Sequence, residues 1–518
     1  MQGGRSLSRR GVARGRARRD DVGMATKQYR SNLDLYQPLL LPVRLDEWLP
    51  DSHLAYFVAD VVTELDLGPI TRRIQSKDRR GNRPFDPAQM VALLFYGYAT
   101  GRFSSRRLAL ACIEDVPCRV LMGSLTPHFT VIAAFRREYL AELGELFVQI
   151  VQICVRAGLI EGRDVVLDGT KVQANASRHS AMSHERMVEV EKRLTDEVDG
   201  WLKRAAEADA AEDAVEEERA ARKETAQAEV ERRISRRERI RAARAALEQE
   251  AQEARAAELR EREEAHRSAA EEAARAGEEK EAARKSALAE KARAEAETLV
   301  PEPPPVPPPA EDLPQHHPEH RADGTPDPKA QRNFTDPESR IMKTAKGAFD
   351  QCFNSQAVVD GRIHLIVAHG LSNQAPDSQY LPPLLERTIA NLGKAPDSLT
   401  ADAGYMSETN AITAEERGVT PYLAMARERR SWPPPEPVEG APPDGADAQA
   451  RMASRLKTRE GQARMRARKS TVELVFGIIK ATMGFRQFLL RGLTKARGEW
   501  ALVCTAYNIR KVYTATLR

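Results

Sequence analysis

Aromatic residues make up only 5% of this 518-residue chain, while charged residues reach 30%, so part of it cannot build an ordinary core. Cysteine is also scarce. Cys112, Cys118, Cys154, Cys352 and Cys504 show no paired spacing. That argues against a disulfide scaffold and a structural zinc site and fits a reducing, cytoplasmic compartment. No apolar run approaches the roughly 20 residues of a membrane span. The basic N-terminus lacks the apolar segment of a secretory signal, and either Met1 or Met24 is a candidate start. There is no Gly-Lys-Ser/Thr phosphate loop, dinucleotide fingerprint, His-Glu-x-x-His helix or nucleophile elbow, which leaves the enzyme classes built on them without support.

A large net charge is missing too: it is only +4. The charge is nevertheless unevenly spread. The first thirty residues carry nine Lys or Arg, and the segment from Arg451 onward carries sixteen against Glu460, Glu473 and Glu499. Basic ends around a balanced middle suggest a polyanionic partner.

The length suits two or three domains. Residues 1–28 read as a disordered basic tail. Residues 29–160 read as a helical domain: Asp86-Pro87 opens an apolar helix, Ser104-Ser105 a second, and Val131–Phe135 a third that ends in Arg136-Arg137. Short helices with a basic third member resemble a helix-turn-helix arrangement, with Arg136 and Arg137 as DNA contacts. Residues 161–182 carry the first strand. From 183 to 300, Ala, Glu and Arg dominate without proline until 301, which predicts long solvated helices, bent near Gly277, without the regular apolar seam of a strong coiled coil. Residues 301–330 are a Pro-rich linker and 331–518 resume a mixed sheet, with a hairpin about Asp360-Gly361-Arg362 and a Pro-rich loop from Trp432 to Pro443.

Three acids stand out. Asp168 follows the apolar run Val165-Val166-Leu167, Asp402 follows Leu399-Thr400-Ala401, and Glu473 lies in the helical stretch Thr471–Lys480. Two aspartates at strand ends and one helical glutamate can hold paired Mg²⁺ ions, because hard carboxylates suit that ion and two ions can serve the entering and leaving oxygens of a phosphodiester. Lys480 lies two helical turns beyond Glu473, so both are expected on one face. Arg468, Lys469, Arg486 and Arg491 extend a basic surface for phosphates.

At these residues the chain resembles bacterial insertion-sequence transposases of the DDE type. The matching stretches are Val166–Ser177, Thr335–Met342, Thr400–Tyr405 and Thr471–Lys480, continuing through Gly484–Phe488 to Arg491-Gly492-Leu493. The resemblance implies an α/β fold with an RNase H-like mixed sheet flanked by helices, an N-terminal all-α domain and a helical insertion after the first catalytic strand. It implies Asp168, Asp402 and Glu473 as catalytic, metal-binding residues with Mg²⁺ or a substituting Mn²⁺, and Lys480 as a DNA contact. Arg466 and Lys469 stand where the family signature has Tyr and Arg, and Leu474 where Pro is expected. The expected activity is metal-dependent cleavage and strand transfer of double-stranded DNA, on terminal inverted repeats and target DNA, by a homodimer or higher oligomer at the nucleoid and without a membrane. The alternatives are a DNA-binding derivative without catalysis and a helical scaffold built on the central segment.

Overall fold

The computed structural model describes residues 47–77, 83–209, 217–300, 313–344, 347–425, 436–438, 440 and 445–517, with the side chains of 205–209 and 217–227 left aside. The expected basic tail, the start of the helical domain, the run Pro301–Pro309 and most of the Trp432–Pro443 loop lie outside the described residues.

Seven helices come first: α1 (Leu54–Thr63), α2 (Gly68–Gln75), α3 (Pro87–Ala99), α4 (Ser105–Glu114), α5 (Val116–Leu121), α6 (Phe129–Glu138) and α7 (Leu140–Arg156). Asp86 caps α3 by accepting from the Ala88 amide, and Pro87 occupies the first turn, where its missing N–H costs nothing. The cap of α6 is His128, whose ring accepts from the Thr130 amide.

Strand β1 (Asp164–Gln173) follows, then β2 (Ala181–Ser183) and three long helices, α8 (His184–Asp209), α9 (Glu217–Arg275) and α10 (Glu279–Leu299). The arm turns back between α9 and α10 at Gly277, whose φ of 79° is the left-handed conformation that favours glycine. Where α9 and α10 pair, the buried seam is thin: Ala256, Leu259 and Ala296, with Leu299 and Val300 beside them. Nearer the core, Ile240 and Leu247 of α9 pack on Met187, Val190 and Leu194 of α8.

The chain returns through β3 (Gln331–Asn333), β4 (Arg340–Lys343), β5 (Phe349–Asp360), β6 (Ile366–Ser372), α11 (Leu381–Leu392), β7 (Ser398–Ala401), α12 (Glu408–Glu416), β8 (Thr420–Leu423), α13 (Ala448–Lys457), α14 (Arg459–Gly477) and α15 (Leu493–Thr516). Strands β6, β5 and β1 are antiparallel neighbours, and β7 and β8 extend the sheet in parallel beyond β1. This is the RNase H-like order: an antiparallel half joined to a parallel half through the first strand. β4 pairs with the opening residues of β5, and β2 with β3 in a separate small sheet. The segment at the end of the Pro-rich stretch is docked, not free: Leu313 is buried, the Ser372 hydroxyl donates to the Pro314 carbonyl, and the His316 amide donates to Asn373 Oδ1 at 2.8 Å.

The N-terminal helices are not an independent module. α15 is buried on nearly every side from Leu493 to Ile509 and packs against α3 and α7 on one side and β6 on the other. Asn508 exchanges two hydrogen bonds with the backbone of Ile366, and the Trp500 indole donates to the Gln356 carbonyl at 3.0 Å. At the seam lies a buried polar group. Glu499, fully buried, accepts from the amides of Leu489 and Leu490 at 2.9 and 3.0 Å and from the Tyr98 hydroxyl at 3.3 Å. Arg136 donates to the same hydroxyl at 3.0 Å and to the Phe103 carbonyl at 2.8 Å. Burial raises the Glu499 carboxyl above its ordinary range, while the Leu490 amide and the Arg136 charge oppose the rise. A Glu499→Ala change removes the acceptor of the Leu489 and Leu490 amides and leaves the buried Arg136 charge uncompensated. It should cost about 3–5 kcal/mol of stability, read as a lowered denaturant midpoint, whereas Tyr98→Phe should cost only about 1 kcal/mol.

Candidate functional site

The site begins with strand register. β1 and β7 run parallel with Leu167 beside Ala401, so the next residues along, Asp168 and Asp402, become neighbours. Adjacent strands lie about 4.8 Å apart, close enough for two carboxylates to feel each other strongly. Asp168 does not end its strand, since β1 runs on to Gln173 and only β7 stops at this level. Past Ala401 the chain breaks into a short 3₁₀ turn, Ala403–Tyr405, which Asp402 caps by accepting from the Gly404 amide at 2.8 Å.

Burial and then the charge of Asp402 push the Asp168 carboxyl up to about 6. The Gly169 amide, at 2.7 Å, and Arg468 pull the other way. Arg468 of α14 reaches the carboxylate directly, with Nη1 3.2 Å from Oδ2. One turn earlier Arg464 pairs with Asp164, so two ion pairs fasten α14 along β1.

A third acid faces the same place. Asp377, just before α11, adds to the negative charge felt by Asp168. Its Oδ1 accepts from Lys171 Nζ at 3.3 Å, Asn354 Nδ2 at 2.6 Å and Gln356 Nε2 at 3.0 Å. The other side of the Gln356 amide accepts from the buried Tyr405 hydroxyl. A Cβ at Gly169 would come within 2.3 Å of Gln356 Nε2, so only glycine fits there without moving this network. Sequence reasoning missed Asp377. The only signal was its position ahead of a helix, which usually marks a cap.

The structure does not bring Glu473 to this pair. Arg468 faces β1, and Glu473, five residues on, lies about 140° around the helix axis. It is exposed beside exposed Leu474. Among the described residues, no three His, Cys, Asp or Glu side chains are grouped to hold one metal ion. Glu473 and Lys480 do not share a face either. Residues Ile478–Thr482 form a π turn, which shifts the helical phase. Lys480 points inward, donating to Thr170 Oγ1 and to the Lys171 carbonyl at 3.2 Å, and burial lowers its pKa.

The expected DNA contacts divide in two. Lys469, Arg486, Arg491 and Arg137 are exposed. Arg486 and Arg491 are steered by backbone carbonyls, of Lys480 at 3.0 Å and Asn175 at 3.1 Å, which set them beside the far half of β1. Arg136 is a correction. Only 6% exposed, its guanidinium is spent on Tyr98 and Phe103, so it stabilises the helical seam and does not face DNA. Arg468 is likewise held, by Asp168.

The pair Asp168 and Asp402 suits a divalent cation by its donor chemistry. Both are hard oxygen donors, and the raised pKa of Asp168 shows a buried negative charge that a cation would relieve. The five cysteines are all buried and free, and no helix among the described residues is long and apolar enough to cross a membrane.

Two family models match the chain. The Transposase DDE domain matches residues 318–509, and the Transposase domain (DUF772) matches residues 43–138. The first match begins after the helical arm, so it includes Asp377, Asp402 and Glu473 but not β1 with Asp168. No curated protein and no solved structure matches the chain. The two matches flank β1 and the arm, and with the RNase H-like sheet they match an insertion-sequence transposase of the DDE type.

Proposed function

We propose that the protein cleaves and joins double-stranded DNA at the ends of a mobile element in a divalent-metal-dependent reaction. The observation that carries this reading is the register that sets Asp168 and Asp402 at neighbouring positions of parallel strands. Asp168 and Asp402 would hold Mg²⁺, or Mn²⁺ in its place. When bound, such ions activate the attacking oxygen and stabilise the leaving oxygen of a phosphodiester. Asp377 positions the floor of the site through Gln356 and Tyr405. Glu473 is the third acid of this proposal. It lies five residues beyond Arg468 on the same helix.

The basic rim of the site supports DNA as the substrate. From Asp168 to its end at Gln173, β1 extends over about 17 Å. Lys171, Lys480, Arg486 and Arg491 lie along it. The cations that remain exposed there would fix the phosphate backbone beside the acids.

The outward placement of Glu473 favours a second reading, a DNA-binding relative without catalysis. One assay separates the two. With Mg²⁺ and DNA carrying the element's ends, the parent should nick DNA. Asp168→Ala, Asp402→Ala and Glu473→Ala should each reduce nicking to background while keeping DNA affinity within a few-fold. Nicking at the parental rate by the Asp168 or Asp402 variant overturns the site. Parental nicking by Glu473→Ala alone removes that residue from it.

Binding should also weaken with salt. Two phosphate contacts on the rim, by the exposed Arg486 and Arg491, correspond to a contribution of about −1.8 to the slope of log affinity against log salt, measurable by fluorescence anisotropy. A flat response would rule out the rim as the footprint.

A further inference from the structure

The arm carries a second concentration of positive charge that the site does not use. Between Glu231 and Arg244, α9 holds seven arginines (232, 233, 236, 237, 239, 241 and 244) against two acids, Glu231 and Glu238. At about 100° per residue these arginines fall into two sets. Arg233, Arg237, Arg241 and Arg244 lie on the side of the helix turned to α8. There Arg233 meets Glu197 at 3.1 Å, and Arg241 and Arg244 meet Glu191 at 2.8 and 3.2 Å. Arg232, Arg236 and Arg239 form an i, i+4, i+7 stripe within about 60° of one another on the outer side. All three are exposed. Among the described residues, Arg236 and Arg239 have no acidic partner, and Arg232 meets Glu229 at 3.7 Å.

The contrast with the rest of the arm makes this stripe specific. On the far half of α9, the exposed Arg262, Arg267 and Arg275 each have a glutamate three or four residues away on the same helix. There every one of these arginines is paired, whereas on the stripe Arg236 and Arg239 are not.

The stripe is also rigidly placed. Glu250 of α9 binds Arg332 of β3 and Arg340 of β4, and Glu248 binds His184 at 3.0 Å, so the helix is riveted at the edge of the catalytic fold. From Glu250, Arg239 lies about 17 Å and Arg232 about 27 Å along the helix axis.

We propose that Arg232, Arg236 and Arg239 form a second, sequence-independent contact to the phosphate backbone of duplex DNA, so that the helical arm grips the substrate away from the cleavage site. The inference rests on the DNA-joining reading of the site. The three guanidinium groups span about 10.5 Å of helix, and duplex DNA presents a negative charge for about every 1.7 Å of its axis, so each arginine can meet its own phosphate.

The test uses the full chain and a random-sequence duplex, since phosphate contacts need no particular bases. Anisotropy titrations across a salt series would compare the parent, Arg232→Gln/Arg236→Gln/Arg239→Gln, and the charge-matched control Arg262→Gln/Arg267→Gln/Arg275→Gln. Circular dichroism melting would verify that the arm stays helical in both variants. The stripe variant should reduce the magnitude of the salt slope by about two to three, with weaker binding at low salt, and the control should keep the parental slope. An unchanged slope in the stripe variant overturns the inference and leaves the DNA-joining reading standing. Equal losses in both variants also overturn it, because net charge alone would then explain them. Loss of self-association with an unchanged slope assigns the stripe to a second copy instead. A parent that binds no duplex at all sinks the inference together with the reading it rests on.

Discussion

The parallel pairing of β1 with β7 is the constraint on which the site depends. It joins two pieces of chain separated by the whole helical arm and sets Leu167 against Ala401. A slip of one residue would turn Asp168 to the opposite face of the sheet from Asp402, because side chains alternate along a strand. Register is held by packing. Val165, Val166, Leu167, Leu399 and Ala401 are all buried, and β1 is paired on its other edge along its whole length to β5. The sheet's hydrophobic core thus fixes the position of two carboxylates that would otherwise repel each other.

That repulsion has a visible consequence. Burial and Asp402 together make Asp168 reluctant to ionise, and Arg468 supplies the compensating charge. Arg464 and Arg468 hold α14 to β1, and Glu473 faces outward. The π turn after α14 then re-aims Lys480 onto β1. α15 joins the N-terminal helices to the catalytic fold, with Glu499 at the seam.

Much of the fold was legible in the sequence, for physical reasons. Asp86-Pro87 is a strong helix start, the β7 boundaries Ser398–Ala401 followed from a short apolar run, and the turn at Gly277 stood out in a helix-rich, proline-free stretch. The two aspartates were legible because each follows an apolar strand. The rest depended on tertiary context. Helical spacing alone put Glu473 and Lys480 on one face, but a π turn leaves no clear mark in composition. Arg136 looked like surface because arginine usually is; only Tyr98, Phe103 and Glu499, drawn from distant segments, explain its burial. Asp377 has no motif of its own, and its importance arises from donors on β1 and β5.

The central claim is that Asp168 and Asp402 form a shared cation site. Calorimetric titration of Mn²⁺ into the full chain at neutral pH, without DNA, tests it most directly. The account predicts a saturable binding isotherm for the parent that disappears in Asp402→Asn while the melting temperature is kept. Superimposable isotherms for parent and variant would contradict it.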